Sequence, residues 1–173
     1  MGPDPHADLL VLDDRAAPAD GALPWRFFTD AVMGGLSTGS MTLAIVDGRP
    51  AVCLHGEVRL ERNGGFVQIA LEVPPNALAG GPPWIGIEID LRGNGRRYGV
   101  HLRTRELAAP WQAYRATVEV PPHWQRLRLP FGSFTPHRTS TDFDARSLSR
   151  IGLVAIGERF TAHACVARLA LYR

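Results

Sequence analysis

The chain has 173 residues, 45% of them hydrophobic and 21% charged, which is enough for one domain to bury a core without relying on disulfides or metal. A net charge of +2 lacks the electrostatic footprint of a nucleic-acid-binding protein, and no apolar run approaches the length needed to cross a bilayer. All 19 basic residues are arginine, a forked, permanently charged group suited to planar anions and aromatic faces.

The first twenty residues set Asp4, Asp8, Asp13, Asp14 and Asp20 against Arg15 alone. They read as a loose acidic segment, 1–20, ahead of one domain, 21–173. No basic segment followed by an apolar run marks a signal peptide, so a cytoplasmic protein is expected. Within this segment Asp8 to Leu12 is an apolar run fit for a strand or a turn of helix, and Ala16 to Pro24 is a loop rich in Ala, Pro and Gly. After the stretch Trp25 to Ser37, Ser40–Ile45 and Ala51–His55 are strand-like around Asp47-Gly48, a hairpin signal. Asn63-Gly64 reads as a second hairpin signal, leading into Phe66–Val73. Beyond a Pro/Gly loop, Ile85, Ile87, Ile89 and Leu91 alternate with Gly86, Glu88 and Asp90, the period of a half-buried strand. Asn94-Gly95 predicts a tight hairpin into Arg97–Thr104. Strands are expected at 114–120, 124–129, 151–156 and 164–172, with a long polar loop over 131–146. About ten short strands with no helical period predict an all-β fold, an antiparallel β-sandwich or jelly roll.

Several patterns invite a catalytic reading and lack its context. Gly35-Leu36-Ser37-Thr38-Gly39 matches G-x-S-x-G, and Asp142 and His163 follow in triad order. A nucleophile elbow needs a parallel strand before the serine and a helix after it, and that βα alternation is missing. Glu88 and Asp90 on one strand face would lie about 7 Å apart, within glycosidase carboxylate range. No third carboxylate is evident beside them, so no enzyme is expected. Arg92, Arg96 and Arg97 gather at the Gly93-Asn94-Gly95 turn, where they would hold an anion, pair with Asp30, or stay solvated. Six histidines are scattered, without H-x-H or H-E-x-x-H, and two distant cysteines give no zinc spacing, so no metal site is expected. Cys53 and Cys165 are expected as buried thiols acting as small hydrophobes, with a disulfide as the alternative. Trp25, Trp84, Trp111 and Trp124 are expected mainly as core rather than as stacking platforms.

Two loops stand out, each ending in a Gly-Gly pair and flanked by aromatic residues. They are Trp25…Asp30-Ala31-Val32-Met33-Gly34-Gly35-Leu36-Ser37 and Asn63-Gly64-Gly65-Phe66, and they are expected to lie side by side as one specialised surface. These residues resemble the W…D-x-V-M-G-G-x-S and N-G-G-F signatures of the complex I intermediate-associated protein 30 family. Arg97-Tyr98, Leu102-Arg103, Tyr114, Trp124, Leu129-Pro130-Phe131 and Ile151-Gly152-Leu153 also fit, so the likeness spans about residues 24–172. The acidic start is unlike a mitochondrial presequence, so the resemblance is to stand-alone bacterial members.

The resemblance implies a galactose-binding-like jelly roll and a non-catalytic protein-interaction or assembly factor, because a mitochondrial member is an assembly chaperone for respiratory complex I. The carried-over positions are Trp25, Asp30, Met33, Gly34, Gly35, Ser37, Asn63, Gly64, Gly65, Phe66, Arg97 and Arg103. Asp30, Asn63 and Arg97 or Arg103 would form either a structural network or a ligand-binding concavity. The same fold is common among carbohydrate-binding modules, so a small-molecule or sugar-binding module is the alternative. No cofactor is expected beyond a calcium ion suggested by fold analogy.

Overall fold

A computed structural model describes residues 8–18 and 23–173. The carried-over residues fall within these segments, while the acidic expectations at Asp4 and Asp20 lie outside them.

Two six-stranded antiparallel sheets face each other across the core. The first contains β1 (Leu9–Asp14), β3 (Thr38–Val46), β4 (Arg49–Val58), β6 (Gly86–Gly93), β9 (Gln125–Pro130) and β12 (Phe160–Tyr172). Its order is β3-β4-β12-β6-β9, and β1 pairs with the second half of β12. The second sheet contains β2 (Trp25–Thr29), β5 (Phe66–Glu72), β7 (Arg97–Thr104), β8 (Ala113–Glu119), β10 (Thr135–His137) and β11 (Leu148–Ile156), in the order β10-β8-β7-β11-β5-β2. The period-2 patterns sort as expected: Ile87, Ile89 and Leu91 of β6 face Tyr98, Val100 and Leu102 of β7 within one buried cluster.

The chain repeatedly changes sheet, and this corrects two expected hairpins. Asp47-Gly48 does join paired strands, β3 and β4, with φ of 42° and 75°. Asn63-Gly64 and Asn94-Gly95 instead carry the chain from one sheet to the other, because β4 and β6 lie in the first sheet and β5 and β7 in the second. The crossover at Asn94 is tied down by its side chain, which donates to Thr161 O at 2.9 Å and accepts from the Tyr98 hydroxyl at 2.7 Å.

Within the expected loose segment 1–20, the described residues 8–18 carry a strand. Residues 9–14 form a sheet strand, because Leu10 and Leu12 pack on the core. Asp13 accepts the Trp25 indole N–H at 2.8 Å and a two-pronged bond from Arg15 at 2.6 and 2.7 Å. The polar loop at 131–146 is more structured than expected. It contains β10, buries Phe131 and Phe134, and accepts the Tyr114 hydroxyl at Thr141 O. The cysteines are paired: Cys53 of β4 and Cys165 of β12 are register partners with Cα atoms 4.1 Å apart, and they form a disulfide. Two residues facing each other across adjacent strands bring their sulfurs within bonding reach, which sequence separation cannot reveal.

Candidate functional site

The two Gly-Gly loops meet, and a single carboxylate explains the meeting. β2 ends at Thr29, whose hydroxyl caps the short 3-10 turn Asp30–Met33 by accepting the Ala31 N–H at 3.1 Å. Gly34 closes that turn with φ of 83°, a left-handed conformation that favours glycine. Its N–H donates to Ala31 O and the Gly35 N–H to Asp30 O. The turn therefore folds back over the Asp30 side chain, which is fully buried at 0% exposure.

Four donors reach that carboxylate. One oxygen accepts the Ser37 N–H at 3.0 Å. The other accepts the Ser37 hydroxyl at 2.5 Å, the Gly65 N–H at 2.5 Å and the Phe66 N–H at 3.2 Å. Ser37 Oγ in turn accepts the Arg59 N–H at 2.9 Å. The glycines on either side leave room for the carboxyl group. A Cβ at Gly35 would overlap it, and one at Gly64 would stand 2.6 Å from its Oδ2. Burial pushes the Asp30 pKa up, but the Ser37 hydroxyl and the N–H groups of Gly65, Ser37 and Phe66 together hold it below the ordinary carboxylate value. Asp30 is thus a latch between the first loop and the sheet-to-sheet crossover, with its acceptor capacity filled by the chain itself.

The arginines expected beside Asp30 lie elsewhere. The backbone of Asn63 belongs to the turn Glu61–Asn63, while its side chain lies outside what the structure describes. Arg97 and Arg103 belong to β7 and do not reach the latch. Arg103 donates to the carbonyls of Ala109 and Gln112, fixing the loop that follows its strand. Arg92 pairs with Asp47 at 2.9 Å and Arg96 with Glu158 at 3.4 Å, so neither reaches Asp30. Trp25 is core. Met33 faces solvent at 57% exposure beside Val32 at 75%, so the latched turn holds two apolar side chains in water.

The catalytic readings meet the same geometry. Ser37 is 4% exposed and bonded to Asp30 and Arg59, while His163 sits on β12 stacked on His55. Glu88 and Asp90 share the outer face of the first sheet, as the strand period requires, but both are buried among arginines. Glu88 accepts from Arg128 at 2.8 Å and Arg168 at 2.7 Å, and Asp90 from Arg126 at 2.7 Å and Arg49 at 2.8 Å. Burial raises each pKa, but the arginine hydrogen bonds and charges win and hold both below their ordinary values. A general acid needs the opposite shift.

The outer face of the second sheet is the other candidate surface. Register partners place His101 of β7 between Gly152 of β11 and Arg115 of β8. The His101 ring also lies over Gly99, where a Cβ would meet its Nε2 at 2.7 Å. A depression of about 320 Å³ there is lined by Arg97, His101, Arg115, Thr117 and Glu158. Burial, with the charges of Arg115 and His137, lowers the His101 pKa to about 4, so its ring is neutral at neutral pH. Among the described residues, the buried Arg115 Nε has no hydrogen-bond partner. Trp111, on the loop held by Arg103, is 58% exposed. The sequence reading did not assemble this face, because it depends on which strands are neighbours.

The sequence model of the complex I intermediate-associated protein 30 family matches residues 16–164. No curated protein matches the chain in sequence. Among solved structures, the chain is similar to the family 11 carbohydrate-binding module from Clostridium thermocellum in complex with a β-1,3-1,4-mixed-linked tetrasaccharide. The TM-score is 0.72 at 14% identity, with 95% of each chain covered. It is also similar to the family 30 carbohydrate-binding module of a Clostridium thermocellum cellulosomal cellulase, with a TM-score of 0.63 at 11% identity, covering 94% of this chain and 96% of that one. These likenesses establish the jelly-roll sandwich fold. Among the described residues no helix is long and apolar enough to cross a membrane.

Proposed function

This chain belongs to the complex I intermediate-associated protein 30 family, and from that premise we propose that it is a non-catalytic protein-interaction or assembly factor whose contact point is the turn carrying Val32 and Met33. The observation that carries the reading is the exposure of those two side chains on a backbone locked by Asp30. Burying a Val or Met side chain contributes about 1.5–3 kcal/mol. A turn already fixed in place loses little further conformational freedom on docking, so more of that gain remains as affinity. We propose the cytoplasm as its location, where the Cys53–Cys165 disulfide would be open to reduction.

Affinity capture from native lysate tests the reading. The wild-type chain should recover a stoichiometric partner that a Val32→Asp/Met33→Asp variant of equal thermal stability does not. Recovery of the same partner by both, or of none by the wild type, refutes it.

A second reading, a carbohydrate-binding module, is favoured by the unpartnered Arg115 Nε beside the neutral His101. Uncharged hydroxyls suit such a lining, and the exposed Trp111 offers a ring face. Titration with the mixed-linked β-glucan tetrasaccharide should then shift the NMR signals of Arg115 and His101, and Arg115→Ala should abolish the response. No shift at millimolar sugar ends this reading.

A further inference from the structure

β4 and β12 place two pairs of metal-binding side chains directly opposite each other. Cys53 faces Cys165, and His55 faces His163. All four lie on the outer face of the first sheet, because Leu54 and Ala164 between them point into the core. The sequence signal is a mirrored C-x-H and H-x-C, Cys53-Leu54-His55 and His163-Ala164-Cys165, which only the strand register brings together. His163 Nε2 lies 3.8 Å from Cys165 Sγ. Donor atoms of Cys53, His55 and His163 all lie within 4.8 Å of one another. The two imidazoles stack with centroids 4.6 Å apart. The Thr42 hydroxyl lies 3.0 Å from His55 Nε2, fixing the ring and leaving Nδ1 as its other donor.

The surroundings suit a soft cation held by thiolates. Cys53 and Cys165 are 1% exposed and packed against Ala51, Val46 and Trp124, beside the half-buried imidazoles. Arg92 on β6 is the register partner of Cys165. Two thiolates around a divalent ion leave no net charge to bury. Two cysteines and two histidines are a tetrahedral zinc donor set.

We propose that the reduced chain binds one zinc-like divalent ion through Cys53, His55, His163 and Cys165, and that the disulfide is the metal-free, oxidised state of the same site. A dithiol or phosphine reductant supplies two electrons, and with two protons from water the S–S bond becomes two thiols. Metal binding releases those two protons as Cys53 and Cys165 become thiolates. Hydrogen peroxide reverses the switch. The two thiolates give up two electrons and form the S–S bond, peroxide takes the electrons with two protons to become two waters, and the ion leaves. This proposal does not depend on the protein-interaction reading.

The test uses the full chain, oxidised or reduced by a phosphine under anaerobic conditions, titrated with Co²⁺ and then Zn²⁺. The reduced chain should take up one equivalent of Co²⁺, with the visible bands of tetrahedral coordination and a thiolate charge-transfer band, and Zn²⁺ should bleach both. The oxidised chain should show neither. His55→Ala and His163→Ala should each weaken uptake more than about 100-fold, beyond the loss expected for an outer-shell partner. Peroxide should release one equivalent of metal to a chromogenic chelator while restoring the disulfide. If the reduced chain loses its fold without metal, Zn²⁺ should refold the wild type and neither histidine variant. Overturning results are a reduced chain that neither binds nor refolds with metal, equal uptake by the oxidised chain, or histidine variants that bind as tightly as the wild type.

Discussion

Asp30 and the Glu88/Asp90 pair are both carboxylates removed from water, and the sandwich satisfies them in opposite ways. Among the described residues Asp30 receives only neutral donors: three backbone N–H groups and one hydroxyl, all within the two Gly-Gly loops. Glu88 and Asp90 receive arginines from β4, β9 and β12, whose outer members, Arg126 and Arg128, keep 54% and 60% of their side chains in solvent. The difference teaches where each network fails. Removing Asp30 strands buried donors that have nowhere else to turn, whereas removing Asp90 leaves guanidinium groups that can rehydrate. The Asp30 network fixes a backbone shape, while the arginine network covers a sheet face.

The largest expected effect follows from that contrast. Asp30→Ala should cost about 4 kcal/mol in chemical unfolding, because three N–H groups and the Ser37 hydroxyl lose a charged acceptor together. A loss under about 1 kcal/mol would break the comparison. Gly35→Ala should cost about 2 kcal/mol, since the new methyl group overlaps the Asp30 carboxyl in a packed site. Asp90→Asn should cost about 1 kcal/mol, and that difference should shrink as salt rises, while the Asp30→Ala cost should not. Equal salt dependence would mean that the latch too is a charge-pair device.

The smallest effect is a slope. The folded pKa values of Asp30, Glu88 and Asp90 are held below the ordinary values of 3.8, 4.5 and 3.8. Their stabilisation is therefore present above the unfolded values and is lost as pH falls through the folded ones. Unfolding followed from neutral pH down into that acid range should show a shallower loss for Asp30→Asn than for the wild type. Matching slopes would remove Asp30 from the acid response.

The alternation at Ile87, Ile89 and Leu91 made the sandwich legible, because burial on one face imposes a period of two on the residues themselves. Asn63-Gly64 and Asn94-Gly95 were read as hairpins because turn chemistry is local, whereas which sheet receives the next strand depends on the whole core. The Gly-Gly loops were legible as special, but their reason was not. The group that needs room beside Gly64 is Asp30, whose approach is set by the crossover between sheets. Arg97 was drawn to that site by its turn cluster as well as by resemblance, and Arg103 by resemblance, but β7 takes Arg97 to the depression beside His101 and Arg103 to the carbonyls of Ala109 and Gln112. Cys53, His55, His163 and Cys165 became a cluster only through the register of β4 with β12.

The most direct test of the division between a structural Asp30 and a docking turn is site-specific photocrosslinking in cells. A benzophenone side chain would be placed at position 32 or 33 and, as a control, at the exposed position 45 on β3. The account predicts one discrete crosslinked protein band from positions 32 and 33, absent from position 45, in chains whose melting temperature matches the wild type. Bands of equal strength from all three positions, or none from 32 and 33, would contradict it.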